Sequence, residues 1–398
     1  MAPVSFGTFR LIIVSLAVFA QIYLLWRIRQ AIRSSRGSGR RTSLVVALAG
    51  VAIGILFAAN WHIMYTPVPW VDPPTLAQAV LFYAPAVWSF GSIFSALLLL
   101  IAQVIAGLGK LAARIIRRLS GPATAEPANP GRRLFLKAGA GSLAAAPFLL
   151  SGYGAAYAAR NHMAVELTLP FGCPLRVVQL TDIHAGIFMT RDTMRRYVDQ
   201  VIALKPDVFV LTGDYISNST VFFPGFAEEM ARVRAPFGTF ATMGNHEHWC
   251  GEIGYYRGVF EQKGIHLLQN EHRVLGTEHR RFAVVGIDDL RWGRPDLEAA
   301  LHGLDKAVPA LLLSHRPEIF PEAAERRIPL TLSGHYHGGQ VKVRLFGEDY
   351  SLAHLRTPYP EGLYRNGASH LYVSRGIGTT FTPVRLNATP EVTLFQLI

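Results

Sequence analysis

Cysteine is nearly absent: Cys173 and Cys250 are the only two in 398 residues. They are too few for a disulfide framework and do not sit at zinc-knuckle spacing. A single disulfide stays open in an oxidising compartment, although two cysteines need not approach each other in a fold of this size. Acidic residues are missing from the first part of the chain, where residues 1–159 hold 14 Lys or Arg but only Asp72 and Glu126. That segment therefore carries the whole formal net charge of +12, while the remaining 239 residues hold 25 charges of each sign. With no basic excess in the second part, the face that backbone-driven nucleic-acid binding needs is lacking, which argues against nucleic acid as a partner.

What residues 1–159 have instead is long apolar runs, and the composition turns mixed and polar near Arg160. Four runs read as an all-α transmembrane region: Leu11 to Trp26, Ser43 to Tyr65, Leu76 to Leu108 with Pro85, and an Ala- and Gly-rich run from Leu134 to Ala158 interrupted by Pro147. Apart from Lys137 at the start of the fourth run, no charged residue lies inside the spans to suggest an ion path, so a plain anchor is the simplest reading. Six arginines follow the first run, from Arg27 to Arg41, and seven Lys or Arg, from Lys110 to Lys137, separate the third from the fourth. Between the second and third runs, Trp61 to Thr75 has no Lys or Arg but has Trp61, Tyr65 and Trp70. Positive loops stay on the cytoplasmic side, so the expectation is a multi-pass protein of the cytoplasmic (inner) membrane with everything after Ala158 outside. The segment Gly131-Arg132-Arg133-Leu134-Phe135-Leu136-Lys137 resembles a twin-arginine export signal, which would add the export machinery as a partner. An ordinary helix with positive residues on its inner flank is the alternative. Ala156-Tyr157-Ala158 is a candidate cleavage site, and Gly121 to Pro130 reads as a flexible cytoplasmic loop.

In residues 160–398, five short apolar runs each end in a cluster of Asp, His or Asn. Leu175 to Leu180 leads to Asp182 and His184, Val208 to Leu211 to Gly213-Asp214, and Thr239 to Met243 to Asn245-His246-Glu247. Ala310 to Leu313 leads to His315, and Pro329 to Leu332 to His335 and His337. An Asp and a His two apart on a strand point the same way, and a glycine before Asp214 lets the backbone turn. Between the first two runs, Asp192 to Leu204 places Met194, Tyr197, Val198, Val201 and Ile202 at helical steps, and Leu297 to Leu304 is a second helical candidate. Alternation of this kind predicts an α/β layered domain with a site at the strand ends. One histidine alone is more often structural than ligating. Five clusters of carboxylate, imidazole and amide oxygen without thiolate suit Mn, Fe or Zn in a dinuclear site.

The succession Asp-X-His, Gly-Asp, Gly-Asn-His-Glu, Ser-His and Gly-His-X-His resembles the calcineurin-like metallophosphoesterase family. Gly338-Gly339-Gln340 and Ser374-Arg375-Gly376-Ile377-Gly378 are similar to its bacterial membrane-associated or exported branch. The resemblance implies a four-layer α/β/β/α metallophosphoesterase sandwich with the site on top. It gives one metal to Asp182, His184, Asp214 and His337, and the second to Asp214, Asn245, His315 and His335, so that Asp214 bridges two divalent ions about 3.5–4 Å apart. His246 would face the substrate as a general acid, a contribution of roughly 10²- to 10⁴-fold. The reaction implied is hydrolysis of a phosphomonoester or phosphodiester by in-line attack of a metal-bridging hydroxide. The anchor favours a lipid-linked or envelope-derived phosphoester, with loops such as Tyr215 to Pro224 and Phe346 to Pro360 setting the choice. The alternative from another class is a membrane receptor or transporter-like module whose outer domain binds ligand without hydrolysis, suggested by four spans where one would anchor an enzyme.

Overall fold

The computed structural model describes residues 6–36, 39–65, 75–120, 130–159, 161–277, 280–380 and 382–398. Most of the outer loop between Trp61 and Thr75, nearly all of the Gly121 to Pro130 linker, Arg160, and the side chains of Arg132 and Arg133 lie outside the described residues. The chain divides into two compact units, Met1–His62 with Val80–Tyr153, and Ile63–Ala79 with Gly154–Ile398.

The first unit is built from α1 (Phe6–Arg36), α2 (Arg40–Tyr65), α3 (Leu76–Ser120) and α4 (Pro130–Tyr153). The third runs on through Pro85 and the fourth through Pro147. Among the described residues, three stretches are long and apolar enough to cross a membrane: Arg40–His62, Leu76–Leu119 and Leu134–Ala158. The first apolar run lies in α1, where part of the side chains fall outside the described set. Ala20, Tyr23 and Leu24 of α1 pack on Ala96 and Leu99 of α3, with Leu143, Ala144 and Phe148 of α4 against them. Polar groups buried in this apolar bundle find one another. Gln21 Nε2 donates to Ser92 Oγ at 2.7 Å, Trp88 Nε1 to Gln21 Oε1 at 2.9 Å, and Tyr23 OH to Gln103 Oε1 at 3.0 Å.

The second unit begins with a π-helical turn, Gly154–Ala158, which contains the candidate cleavage tripeptide. It then alternates strand and helix: β1 (Met163–Leu169), β2 (Leu175–Leu180), α5 (Arg191–Ala203), β3 (Val208–Leu211), α6 (Phe223–Met230), β4 (Thr239–Ala241), α7 (Asn245–Cys250), α8 (Ile253–Gln262) and β5 (Ile265–Leu267). Next come β6 (Glu271–Thr277), β7 (Arg280–Gly286), α9 (Leu297–Leu301), β8 (Ala310–Leu313), α10 (Phe320–Glu325) and β9 (Leu330–Ser333). A hairpin of β10 (Val343–Leu345) and β11 (Glu348–Tyr350) precedes β12 (Gly362–Asn366), β13 (Ser369–Val373) and β14 (Glu391–Leu397). One sheet has the order β1-β14-β2-β3-β4-β5 and the other β12-β13-β9-β8-β7-β6. In the first, β2 to β5 are parallel; in the second, β13, β9, β8 and β7 are parallel.

Side-chain alternation sets the layers. Val208 and Val210 of β3 meet Val284 of β7 and Leu311 and Leu313 of β8 in the core between the sheets. The intervening Phe209 and Leu211 turn outward to Met194, Val198 and Val201 of α5 and to Phe226 of α6. On the far side, Ala283, Val285 and Leu312 meet Leu297 and Ala300 of α9 and Ala323 of α10. Three cores between helix, sheet, sheet and helix make the expected four-layer α/β/β/α sandwich. Each fully buried Leu, Val or Phe contributes about 1.5–3 kcal/mol to it. Helix α5 covers the stretch read from the sequence, begun by Thr190, whose side chain accepts from Thr193 N. Ile202, read as part of its apolar face, is exposed instead. No disulfide joins Cys173, which is buried, to Cys250.

Candidate metal centre

Strands β2, β3 and β4 lie side by side in one sheet, β8 and β9 in the other, and the chemistry-bearing residues follow their C-terminal ends. Gln179 ties the two sheets together just beneath, donating to Thr212 Oγ1 at 2.8 Å and to Ser333 O at 3.0 Å. Strand alternation does not aim Asp182 and His184, because β2 ends at Leu180 and both residues are in the left-handed region, at φ 51° and 50°. Asp214 (φ 54°), His335 (75°) and His337 (53°) share that conformation. A non-glycine residue there carries about 1–2 kcal/mol of steric strain. Gly213, at φ 90°, makes the turn expected of it, and a Cβ there would lie 2.7 Å from the Gly244 amide and from His315 Nδ1.

These turns bring ligand atoms together in overlapping groups. Asp182 Oδ1 is 3.2 Å from His337 Nε2, which is 3.1 Å from His184 Nε2. Asp214 Oδ2 is 3.7 Å from His184 Nε2 on one side and 3.2 Å from His315 Nε2 on the other. His335 Nδ1 stands 3.2 Å from His315 Nε2. Asp182, His184 and His337 form one compact group, His184, Asp214 and His246 a second, and Asp214, His315 and His335 a third. Six of the seven ligand candidates, all but His335, are buried.

The donor set fits a cation. His184 Nε2 and His337 Nε2 stand 3.1 Å apart, with Asp182 Oδ1 3.2 Å from His337 Nε2 and Asp214 Oδ2 3.7 Å from His184 Nε2, so that nitrogen and oxygen donors converge on one point. Burial, then the neighbouring His246, holds His184 well below its usual pKa; burial and the Arg316 cation do the same for His335. Both are then neutral and able to ligate. Burial alone would also depress His315, but the charge and hydrogen bond of Asp214 outweigh it and lift it to about 10. A proton there holds the counter-charge that the carboxylate demands. Nitrogen and oxygen donors without thiolate suit Mn, Fe or Zn.

His246 is buried beside the ligands, with Nε2 3.9 Å from Asp214 Oδ2 and its ring 4.5 Å from that of His184. Its Nδ1 is 2.5 Å from Ser217 O, so this nitrogen carries the proton and Nε2 faces the cluster. Asn245 Oδ1 accepts from Arg316 Nη2 at 3.1 Å. The same guanidinium lies 2.6 Å from His335 Nε2 and donates from Nε to Asp289 Oδ2 at 2.9 Å. Arg316 directly follows His315, yet nothing in its spacing announces that role. Arg385 is also beyond sequence reading. Fully buried, it spans the carbonyls of Gly378, Ala388 and Arg375 and reaches His337 Nδ1 at 3.2 Å. Glu247 accepts from the amides of Asp214, Tyr215 and Gly244 at 2.7–2.9 Å, which fixes the two ligand-bearing turns to each other.

His248, unassigned from sequence, has Nε2 2.7 Å from Asp288 Oδ1. Burial would lower its pKa, but the hydrogen bond and charge of Asp288 raise it above 6.5. Asp288, which burial would raise, is held at about 2 chiefly by His248 and the Arg294 amide. The histidine's contribution to stability is full below 6.5 and is lost as pH rises through its raised value. The aspartate's is full above 3.8 and is lost as pH falls through about 2. Melting temperatures of His248→Gln and the unaltered chain should therefore differ most between pH 3.8 and 6.5 and converge in alkali. An undiminished gap at high pH would rule the ion pair out.

Two mixed sheets packed face to face, with Asp and His groups able to hold a metal ion beyond their strand ends, agree with the metallophosphoesterase class that the sequence motifs resemble. Residues 175–353 match the calcineurin-like phosphoesterase family. The metallophosphoesterase YkuE of Bacillus subtilis (strain 168) is 32% identical over 279 residues, 67% of this chain and 97% of that protein. The phosphodiesterase YaeI of Escherichia coli (strain K12) is 32% identical over 232 residues, 56% of this chain and 83% of the other. A transmembrane protein with metallophosphoesterase domain from Danio rerio is 31% identical over 264 residues, 62% of this chain and 59% of its own length. The chain belongs to the calcineurin-like phosphoesterase family.

Proposed function

We propose that the chain is a membrane-anchored hydrolase of phosphomono- or phosphodiesters that works with two divalent metal ions outside the cytoplasm. The observation that carries this reading is the placement of Asp214 Oδ2 within 3.2 Å of His315 Nε2 and 3.7 Å of His184 Nε2, so that one carboxylate belongs both to the group with His184 and His246 and to the group with His315 and His335. Asp182, His184, Asp214 and His337 would hold one ion, and Asp214, Asn245, His315 and His335 the other. When bound, the ions supply an activated water nucleophile and neutralise charge on the phosphoryl oxygens. Asn245 contributes a neutral oxygen. Arg316 keeps Asn245 and His335 in place and adds positive charge where the phosphoryl group gains negative charge.

His246 is the proton donor to the leaving oxygen. It would do so in its doubly protonated form: Nδ1 keeps its proton on Ser217 O, and the second proton, on Nε2 facing the cluster, is delivered and regained from the water consumed. Burial lowers the pKa of this ring, against the pull of Asp214 and Ser217 O. The positive residues that flank the apolar helices support an extracytoplasmic catalytic unit, and Arg132-Arg133 supports passage through a twin-arginine route. Proximity to a membrane favours a lipid-linked or envelope phosphoester over a nucleic acid, for which the second unit has no net positive charge.

The test is hydrolysis of bis-p-nitrophenyl phosphate and p-nitrophenyl phosphate by the purified full chain. Chelation should abolish turnover and added Mn restore it. Turnover that survives exhaustive chelation, or no turnover of either ester with any of Mn, Fe or Zn, overturns the reading.

A further inference from the structure

Directly beyond the ligand His337 the chain leaves the sandwich and builds a projection with an unusual surface. Strands β10 and β11 pair with each other and with neither large sheet. Val343 stands opposite Tyr350, Arg344 opposite Asp349 and Leu345 opposite Glu348. Directly opposed residues share a face, and neighbours along a strand alternate. Val343, Leu345, Glu348 and Tyr350 therefore lie on one side of the ribbon, which is apolar but for Glu348 next to the turn. Arg344 and Asp349 lie on the other, joined by two hydrogen bonds of 2.8 and 3.1 Å.

The apolar side is uncovered: Val343, Leu345 and Tyr350 are each about half exposed, and Phe346 in the turn is fully exposed. The 3-10 turn that follows, Leu352–Leu355, adds Leu352 at 73% and Leu355 at 83% exposure. A two-stranded ribbon is marginal in water on its own, and this one holds its large apolar side chains in solvent. It is nevertheless firmly mounted. Lys342 Nζ, buried at its base, bonds Glu361 Oε1 at 2.6 Å and lies 3.6 Å from Asp349 Oδ2. Ser351 packs directly on the bare Cα of Gly339, two residues past His337. The projection is thus fixed to the rim of the metal centre.

We propose that residues 343–355 dip into a lipid surface and that the centre beside them takes phosphoesters presented from that surface. The occupant follows from the chain itself, which carries three helices long and apolar enough to cross a membrane. Phe346 in the turn and Tyr350 on the ribbon's apolar side, with exposed Arg344 and Arg356 beside them, are the composition of segments that settle at the headgroup boundary. The ribbon is two strands wide, too narrow to bury the roughly 800 Å² per partner of a stable protein–protein interface. The substrate half of this inference rests on the phosphoesterase reading; the docking half does not.

The test uses the full chain reconstituted in phosphatidylcholine–phosphatidylglycerol vesicles, with Cys250→Ser leaving only the buried Cys173. An environment-sensitive dye on Phe346→Cys should report an apolar surrounding and be quenched by lipids spin-labelled high on the acyl chain. The same dye on Lys306→Cys, exposed in the loop that enters β8 at the opposite strand end, should not. The double variant Phe346→Glu with Leu355→Glu should hydrolyse a vesicle-embedded p-nitrophenyl phospholipid at least about tenfold more slowly and soluble bis-p-nitrophenyl phosphate at the unaltered rate. A dye at 346 that stays in water, or whose shielding disappears as protein is diluted in lipid, overturns the docking surface, the latter by showing contact between copies. Equal loss on both esters overturns its link to the substrate. Quenching at 346 in a chain that hydrolyses neither ester leaves the docking intact and removes the phosphoesterase reading.

Discussion

Asp214→Asn should lower kcat/KM for bis-p-nitrophenyl phosphate by roughly 10³-fold or more and strip metal from the purified chain. The substitution preserves shape. Asp214 Oδ1 accepts from His246 N at 3.0 Å, and the amide oxygen of asparagine can keep that bond. What changes is Oδ2, which faces His315, His184 and His246 at 3.2, 3.7 and 3.9 Å. An amide nitrogen there offers no negative charge and no lone pair to a cation, so both ligand groups lose their shared member. The charge that lifts His315 to about 10 disappears with it. Metal content by mass spectrometry, circular dichroism and turnover together separate loss of site from loss of fold. A folded Asp214→Asn chain with full activity would sink the two-ion reading.

His246→Ala should reduce kcat by about 10²–10⁴-fold on a phosphodiester with an alkyl leaving group while metal content stays unchanged. The loss should shrink for a p-nitrophenyl ester, whose leaving oxygen needs little protonation. That contrast isolates proton transfer. His246 Nε2 lies farther from Asp214 Oδ2 than the imidazoles of His184 or His315, and its other nitrogen is held by Ser217 O, so its removal leaves the ligands where they are. Equal losses on both esters would assign His246 to charge stabilisation instead, and loss of metal would make it a ligand.

Much of the sandwich was legible because fully buried parallel strands read as unbroken apolar runs. Leu175–Leu180, Val208–Leu211 and Ala310–Leu313 agree residue for residue with β2, β3 and β8. The run Pro329 to Leu332 sits one residue early, since β9 begins at Leu330, after the proline that has no amide to give. The edge pairing was not legible. β1 carries Glu166 and Thr168 among its apolar residues, and its partner β14 closes the chain more than two hundred residues later. Six of the seven ligand candidates, all but Asn245, fall into groups that could hold a metal ion, and the aim of five of them comes from left-handed turns that strand periodicity does not encode. Arg316 and Arg385 went unread for a related reason. Each acts through contacts between segments far apart in sequence, with Asn245 and Asp289 in one case and His337 in the other.

Five ligand candidates, Asp182, His184, Asp214, His335 and His337, hold backbone conformations that their own side chains disfavour. Such positions persist where the surrounding fold over-determines them, and they set robustness against activity. Glycine, which accepts these angles freely, would relax the backbone at each position and remove the donor atom that makes the position useful. A search for thermostable variants would therefore be drawn toward this centre and, by succeeding there, would return sturdier proteins with nothing left to catalyse.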